Sequence, residues 1–448
     1  MAPDPRLCPG GLPELAATVA TLRDAGIGTL LDVVFNHTGE SDAFGPTLSL
    51  RGLDNAAYFR HAPGGALVND AGTGNTLACD HPATRRLILD SLRTLARTGV
   101  DGFRFDLAPI LGRTATGFDP RAAIFAEIAA DPLLASRVMI AEPWDVGPGG
   151  YQLGNFPPPW LEWNDRARDR IRRYWRGDPH MAGDIATTLA GSSDVFVPPA
   201  TRSVSFVAAH DGFTLADLVA WRHRHNAANG EQNRDGHHEN FSWNGGIEGA
   251  TDDPAVIAAR RRDLRALLAT LFATRGTIML TAGDEFGRSQ GGNNNAYAQD
   301  NPVTWLDWDG RDRGLEDQVA ALAALRRAHP ALADPAFLDG APGPDGVPDV
   351  AWLTAAGEAK TVADWQSAPS AALAMVLGRG GGPVDDGRLA VLFNRSGHEI
   401  VFHLPARDGH AWEAQDGIVA VAPRSVAFVA ERPGAAASRP RQRRPRTP

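Results

Sequence analysis

Four short apolar runs each end in a polar residue able to do chemistry: DVVFNH at 32–37, GFRFD at 102–106, VMIAE at 138–142 and VSFVAAHD at 204–211. Three of these ends are carboxylates, Asp106, Glu142 and Asp211. Carboxylates serve as nucleophiles and as general acids and bases. A buried parallel strand reads as a continuous β-branched and apolar run, and packing gives no reason for an acid at its C-terminal tip. In barrels of alternating strands and helices, catalytic groups sit at the C-terminal ends of several strands, so residues distant in sequence converge on one mouth. Taken singly, Asp106 or Glu142 reads more readily as a helix N-cap or a surface loop acid, and His37 as a satisfied buried histidine rather than a ligand. Repetition of the pattern is what carries weight.

The elements that must position these residues are legible around them. Residues 13–26 have apolar side chains at helical spacing and stop at a glycine, and 27–35 then reads as a strand. The alternation recurs with helices predicted over 81–99, 119–131, 163–175 and 253–275. Candidate strands lie near 30–35, 101–106, 138–142, 159–163, 203–210 and 277–282. Strand and helix in alternation imply a parallel sheet with helices outside it, an α/β fold of the (β/α)8 TIM-barrel type. A closed barrel needs eight strands, so the barrel is expected to lack its first two. After a last amphipathic helix at 315–329, short apolar runs separated by Gly and Pro predict a C-terminal antiparallel β-sandwich. The expected domains are a catalytic barrel over 1–330, incomplete at its N-terminus, a β-domain over 331–432 and a disordered basic tail over 433–448.

Composition excludes several classes of function. A net charge of −9 disfavours a nucleic-acid binder, which needs a basic surface. The single lysine, Lys360, lies outside every motif, so neither a phosphate-binding lysine nor a Schiff base has a residue to use. Cys8 and Cys79 are too few for a disulfide framework or a zinc cluster and read as free thiols. No apolar stretch reaches the roughly 18 residues that span a bilayer, and the N-terminus has no signal-peptide core, so a cytoplasmic location is expected.

In their order and spacing, DVVFNH, GFRFD, AEPWD and AAHD resemble the four signature segments of the α-amylase superfamily. Flanking segments such as GNTLACDHP (74–82), NGEQNRDGHHENFSWNGGIEG (229–249) and AGDEFGRSQGGNNNAYAQDNPVTWLDW (282–308) resemble the bacterial glycogen debranching enzymes and isoamylases. The resemblance implies that Asp106 is the nucleophile, Glu142 the proton donor and Asp211 the third carboxylate, which binds sugar hydroxyls. It implies that His37 and His210 hydrogen-bond the same sugar ring. Arg104 precedes Asp106 by two residues, so both face one side of a strand, and its guanidinium should keep Asp106 ionised. Pro143 and Trp144 beside Glu142 suggest an apolar setting that raises its pKa toward general-acid duty.

Sugars present apolar faces that stack on aromatic rings, so Trp144, Tyr151, Trp160 and Trp163 are each candidates either for the cleft or for the core. Asn293, Asn294 and Asn295 follow the last candidate strand and are expected to reach substrate. Asp32 and Asn36 read as structural. The cluster Glu231, Asn233, Asp235, His237 and His238 fits no strong metal pattern. No metal site is assigned, and no specific motif supports calcium.

The implied activity is a retaining hydrolase of α-1,6 branch linkages in glycogen or limit dextrin, working without a cofactor. Two alternatives stay open: a transglycosidase of the same superfamily, and a non-catalytic, truncated fragment.

Overall fold

The structure is a computed structural model that describes residues 3–343, 346–369, 371–378 and 387–434. From residue 435 onward the expected disordered tail lies outside the described residues. The chain divides into two units, Met1–Trp163 and Asn164–Pro448.

In the first unit, α1 (Gly11–Asp24), β1 (Leu30–Val33), α2 (Leu50–Tyr58), α3 (Pro82–Ala96) and β2 (Gly102–Phe105) come in turn. The chain continues through α4 (Pro109–Gly112), the small hairpin β3 (Arg113–Thr114) and β4 (Gly117–Phe118), α5 (Ala123–Ala130), β5 (Val138–Ala141) and β6 (Leu161–Asn164). Strands β1, β2, β5 and β6 run parallel in that order. Helix α3 starts where the His81 side chain accepts from the Ala83 amide and Pro82 presets the first turn. Its buried face, Ile88, Leu89, Leu92 and Leu95, shares one core with Phe103 and Phe105 of β2. Burying each such side chain contributes roughly 1.5–3 kcal/mol. Strand β2 needs a glycine at its start, because a Cβ on Gly102 would lie 2.2 Å from the Val138 carbonyl oxygen and 2.7 Å from Leu30 Cδ2.

In the second unit, α6 (Asp165–Arg176) is capped by the Asn164 side chain and ends at Gly177 in the left-handed region, φ 101°. After it come α7 (Ala182–Leu189), β7 (Ser203–Ser205), α8 (Leu215–Leu218), α9 (Pro254–Ala273), β8 (Thr277–Ile278) and α10 (Arg313–Ala328). Strands β7 and β8 pair in parallel. The described residues thus hold six strands in parallel ladders, four in the first unit and two in the second, each at a place marked by an apolar run.

The remaining elements are antiparallel. They comprise β9 (Val350–Leu353), the short α11 (Val362–Gln366), β10 (Ala372–Leu377), β11 (Leu389–Asn394), β12 (Ile400–His403), β13 (His410–Trp412), β14 (Ile418–Val421) and β15 (Ser425–Pro433). One sheet has the order β13-β15-β11-β10-β9, and β12 and β14 form a second, two-stranded layer. Ala374, Val376, Ala390 and Leu392 pack on Phe402 and Val421 between the layers. The alternate residues Met375, Leu377, Val391 and Phe393 belong to the core that includes Tyr174, Trp175 and Leu267 of α6 and α9. Covering on both faces is why β10 and β11 read as unbroken apolar runs. Beside this domain, the Lys360 ammonium sits 5.2 Å from the Trp365 ring centre. Among the described residues, no helix is long and apolar enough to cross a membrane.

Candidate active site

Register fixes the site in the first unit. Val33, Phe105 and Ala141 lie side by side at the ends of β1, β2 and β5, so Asp106 and Glu142 are each one residue past the end of adjacent strands. The ladder continues through them: the Asp106 amide donates to the Val33 carbonyl at 3.1 Å and the Glu142 amide to the Phe105 carbonyl at 3.0 Å. One register step earlier, Asp32 and Arg104 are partners.

Arg104 ties the carboxylates together. Its Nη1 donates to Asp32 Oδ1 at 2.8 Å and to Asp106 Oδ1 at 2.9 Å, and its Nη2 lies 2.8 Å from Glu142 Oε2. The guanidinium carbon sits 4.3 Å from the Trp163 ring centre, so an aromatic face backs the charge. Burial would lower the Arg104 pKa, but Glu142, Asp32 and Asp106 outweigh it and hold the group above the usual arginine value. The same-side placement of Arg104 and Asp106 expected from strand periodicity is what the structure has.

The other oxygen of Asp106 is held by Asn36, whose Nδ2 donates to Oδ2 at 2.8 Å and to the Asp106 carbonyl at 2.9 Å. Asn36 Oδ1 in turn pairs with Nδ1 of His37. With Asn36 Nδ2 committed as a donor, its Oδ1 must accept, which places the His37 proton on Nδ1. Burial lowers the His37 pKa, with Asp106 opposing, and so favours the neutral ring. Nothing in the side-chain pattern of the sequence indicated that Asn36 would link His37 to Asp106.

Glu142 is 3% exposed. Its surroundings differ from the apolar setting expected from Pro143 and Trp144, because Oε2 faces the Arg104 guanidinium and accepts from the Leu107 amide at 2.8 Å. Leu107 adopts φ 41°, a conformation that costs a non-glycine residue energy and that occurs mainly where surrounding structure enforces it. That backbone twist follows Asp106 directly. It was invisible in the sequence because the donor is a main-chain group.

The aromatic candidates separate by burial. Trp160 is 3% exposed, stacks with Phe156 and meets Phe105 at a tilt in the core, whereas Trp163 lies under Arg104. Trp144 is partly buried and Tyr151 exposed.

In the second unit, His210 and Asp211 have half-exposed side chains, with His210 Nε2 3.7 Å from Asp211 Oδ2. Asn293 and Asn294 are buried and committed to the preceding loop: Asn293 donates to Asn229, and Asn294 exchanges hydrogen bonds with Asn226 and donates to Asn240. Asn295 is partly buried, and its Nδ2 donates to Asp235 Oδ2 at 2.9 Å. Among the described residues, no group of three or more His, Cys, Asp or Glu is placed to hold a metal ion.

No family model matches the chain. It is 44% identical over 422 residues to the glycogen operon protein GlgX homolog of Mycobacterium tuberculosis (strain ATCC 25618 / H37Rv), across 89% of this chain and 58% of that protein. It is 50% identical over 357 residues to the glycogen debranching enzyme of Erwinia tasmaniensis, across 79% of this chain and 53% of that protein. The chain therefore spans little more than half the length of these curated relatives. Among solved structures, pullulanase type I from Bacillus subtilis in complex with maltose superposes with a TM-score of 0.70 at 23% identity, over 94% of this chain and 56% of that one. Pullulanase from Bacillus acidopullulyticus superposes with a TM-score of 0.69 at 23% identity, over 93% and 48%. These likenesses show the fold to be of the (β/α)8 barrel type followed by an antiparallel β-domain. Over 79–89% of its length the chain is thus 44–50% identical to proteins named glycogen debranching enzyme and glycogen operon protein GlgX homolog.

Proposed function

We propose that this chain carries the catalytic centre of a retaining α-glucan hydrolase that cleaves α-1,6 branch linkages of glycogen or limit dextrin. The observation that carries the reading is one guanidinium contacting both Asp106 and Glu142, at 2.9 and 2.8 Å. Retaining hydrolysis needs a nucleophile and an acid/base about 5–5.5 Å apart, and two carboxylates on one fork are held at short range. The names of the relatives, glycogen debranching enzyme and GlgX homolog, support the α-1,6 linkage as the target.

In this mechanism Glu142 gives its proton to the glycosidic oxygen while Asp106 Oδ attacks the anomeric carbon. The bond to the departing chain breaks and a covalent glycosyl-enzyme forms. Glu142, now a carboxylate, takes a proton from water, the water oxygen bonds to the anomeric carbon, and Asp106 leaves. His37, with its proton on Nδ1, offers Nε2 to a sugar hydroxyl. The resemblance and the placement in the sequence assign further substrate contacts to Trp144 and, in the second unit, to His210, Asp211 and Asn295.

The test is release of reducing ends from a branched limit dextrin, with linear maltooligosaccharide as control. Asp106→Asn should fall to background with its circular dichroism unchanged; turnover retained by that variant would overturn the nucleophile assignment. Chain lengths redistributed without new reducing ends would identify a transferase instead.

A further inference from the structure

We propose that the loop 221–240 of the second unit forms a binding site for a phosphate group, presented either as inorganic phosphate or as the monoester of a sugar. A cavity of about 250 Å³ is lined by Arg222, His223, Arg224, Asn233, His238 and Asn240. Four of these six side chains are cationic or can become so, and none is an acid. In a chain of net charge −9, a concavity lined by cationic side chains stands out as a place for an anion.

The donors are arranged for an oxyanion. Arg224 is fixed by Nε donating to the Asn233 carbonyl and Nη1 to the Gly236 carbonyl, both at 3.0 Å, so the plane of its guanidinium is set before any ligand arrives. The side chains of Arg222, His223 and His238 have no hydrogen-bond or ion-pair partner among the described residues. Two acids adjoin these groups and both are engaged: Glu248 accepts from the Arg222 and His223 amides at 2.8 and 2.9 Å and from Asn244 Nδ2 at 2.9 Å, and Asp235, near Arg224, accepts from Asn229 and Asn295. The wall is firm, since Asn233 bonds the Asn226 amide and Asn240 bonds Asn294. Arg172, 3% exposed, secures the Asn240 carbonyl through Nη1 at 3.1 Å.

Guanidinium and imidazole N–H groups around a small concavity suit the several oxygens of a phosphate, with charge-assisted hydrogen bonds stronger than those a neutral hydroxyl accepts. A neutral glucan can accept hydrogen bonds from these groups but does not draw on their charge, which is the difference that a neutral-sugar control reads.

The experiment is calorimetric titration of the full chain with inorganic phosphate and with glucose 6-phosphate, using glucose as the neutral control. Saturable 1:1 binding of either anion, and none of glucose, is expected. The double variant Arg222→Gln/His238→Gln should weaken it by about tenfold or more, while Arg222→Lys, which keeps the charge, retains part of it. Equal affinity for the two anions would assign the site to the phosphate group alone, and tighter glucose 6-phosphate to a sugar monoester. Failure of both to bind, or equal binding by the double variant, would overturn the proposal. Arg222 and His223 are exposed, and thermal melting of each variant without ligand separates lost binding from lost folding.

Discussion

Arg104 concentrates three carboxylate contacts and one aromatic contact in a side chain that is 7% exposed. Lysine has a single ammonium and no fork, so Arg104→Lys should keep the fold and lose most of kcat/KM, which steady-state assays with thermal melting distinguish. Arg104→Met should cost about 3 kcal/mol in urea denaturation, because it leaves the Asp106 carboxylate and its neighbour Asp32 without their shared cation. His37 yields a pH signature. Its folded pKa lies below the ordinary 6.5 through burial, so below that value the unfolded chain binds more protons than the folded one. The stability that depends on neutral His37 is therefore full above about pH 6.5 and falls as the pH drops. His37→Gln should flatten that fall between pH 7.5 and 5; an unchanged slope would remove His37 as its source. At this scale the sequence disclosed Arg104, Asp106 and Glu142 because side-chain type and spacing announce them. It hid the Leu107 amide and the Asn36 bridge, because a main-chain donor has no letter and an amide link across 70 residues has no local pattern.

At the scale of elements, continuity of apolar residues was the dependable signal. All six parallel strands among the described residues fall where an apolar run is bounded by turn residues, and β10 and β11 are covered on both faces as their unbroken runs imply. What escaped had no such signal. Helix α2 is only nine residues long and is broken at Asp54, and β13 is three residues long. Gly102→Ala should destabilise the first unit by about 1–3 kcal/mol, since the added methyl meets a carbonyl of the neighbouring strand; denaturant unfolding checks it. A second prediction concerns Asp284, beside β8 and fully buried, whose pKa burial pushes up to about 7 although the Leu215 amide opposes. Between its ordinary 3.8 and about 7 the folded state holds a proton that the unfolded state has released, so this group lowers stability as pH rises through that window. Asp284→Asn keeps an acceptor for Leu215 and should remove that decline, gaining stability relative to the parent at pH 8 but not at pH 4.

For the molecule as a whole, the α/β class and the antiparallel C-terminal part were legible because strand and helix alternate to about residue 280 and then stop alternating. The basic pocket was harder to read, since it depends on how a long polar loop folds back on itself. One further feature bears on handling the protein. The chain has a single lysine, Lys360, held over Trp365 beside the β-domain, its pKa lowered by burial with Asp364 opposing. An amine-directed reagent therefore has one side-chain target in this chain, and that target is less protonated at mildly alkaline pH than an ordinary lysine. Labelling at pH 8 with a succinimidyl dye should give one internal adduct by peptide mapping, and quenching of Trp365 fluorescence by the dye. Lys360 thus provides a ready attachment point for a reporter or a solid support, positioned on the β-domain and away from Asp106 and Glu142 in the sequence.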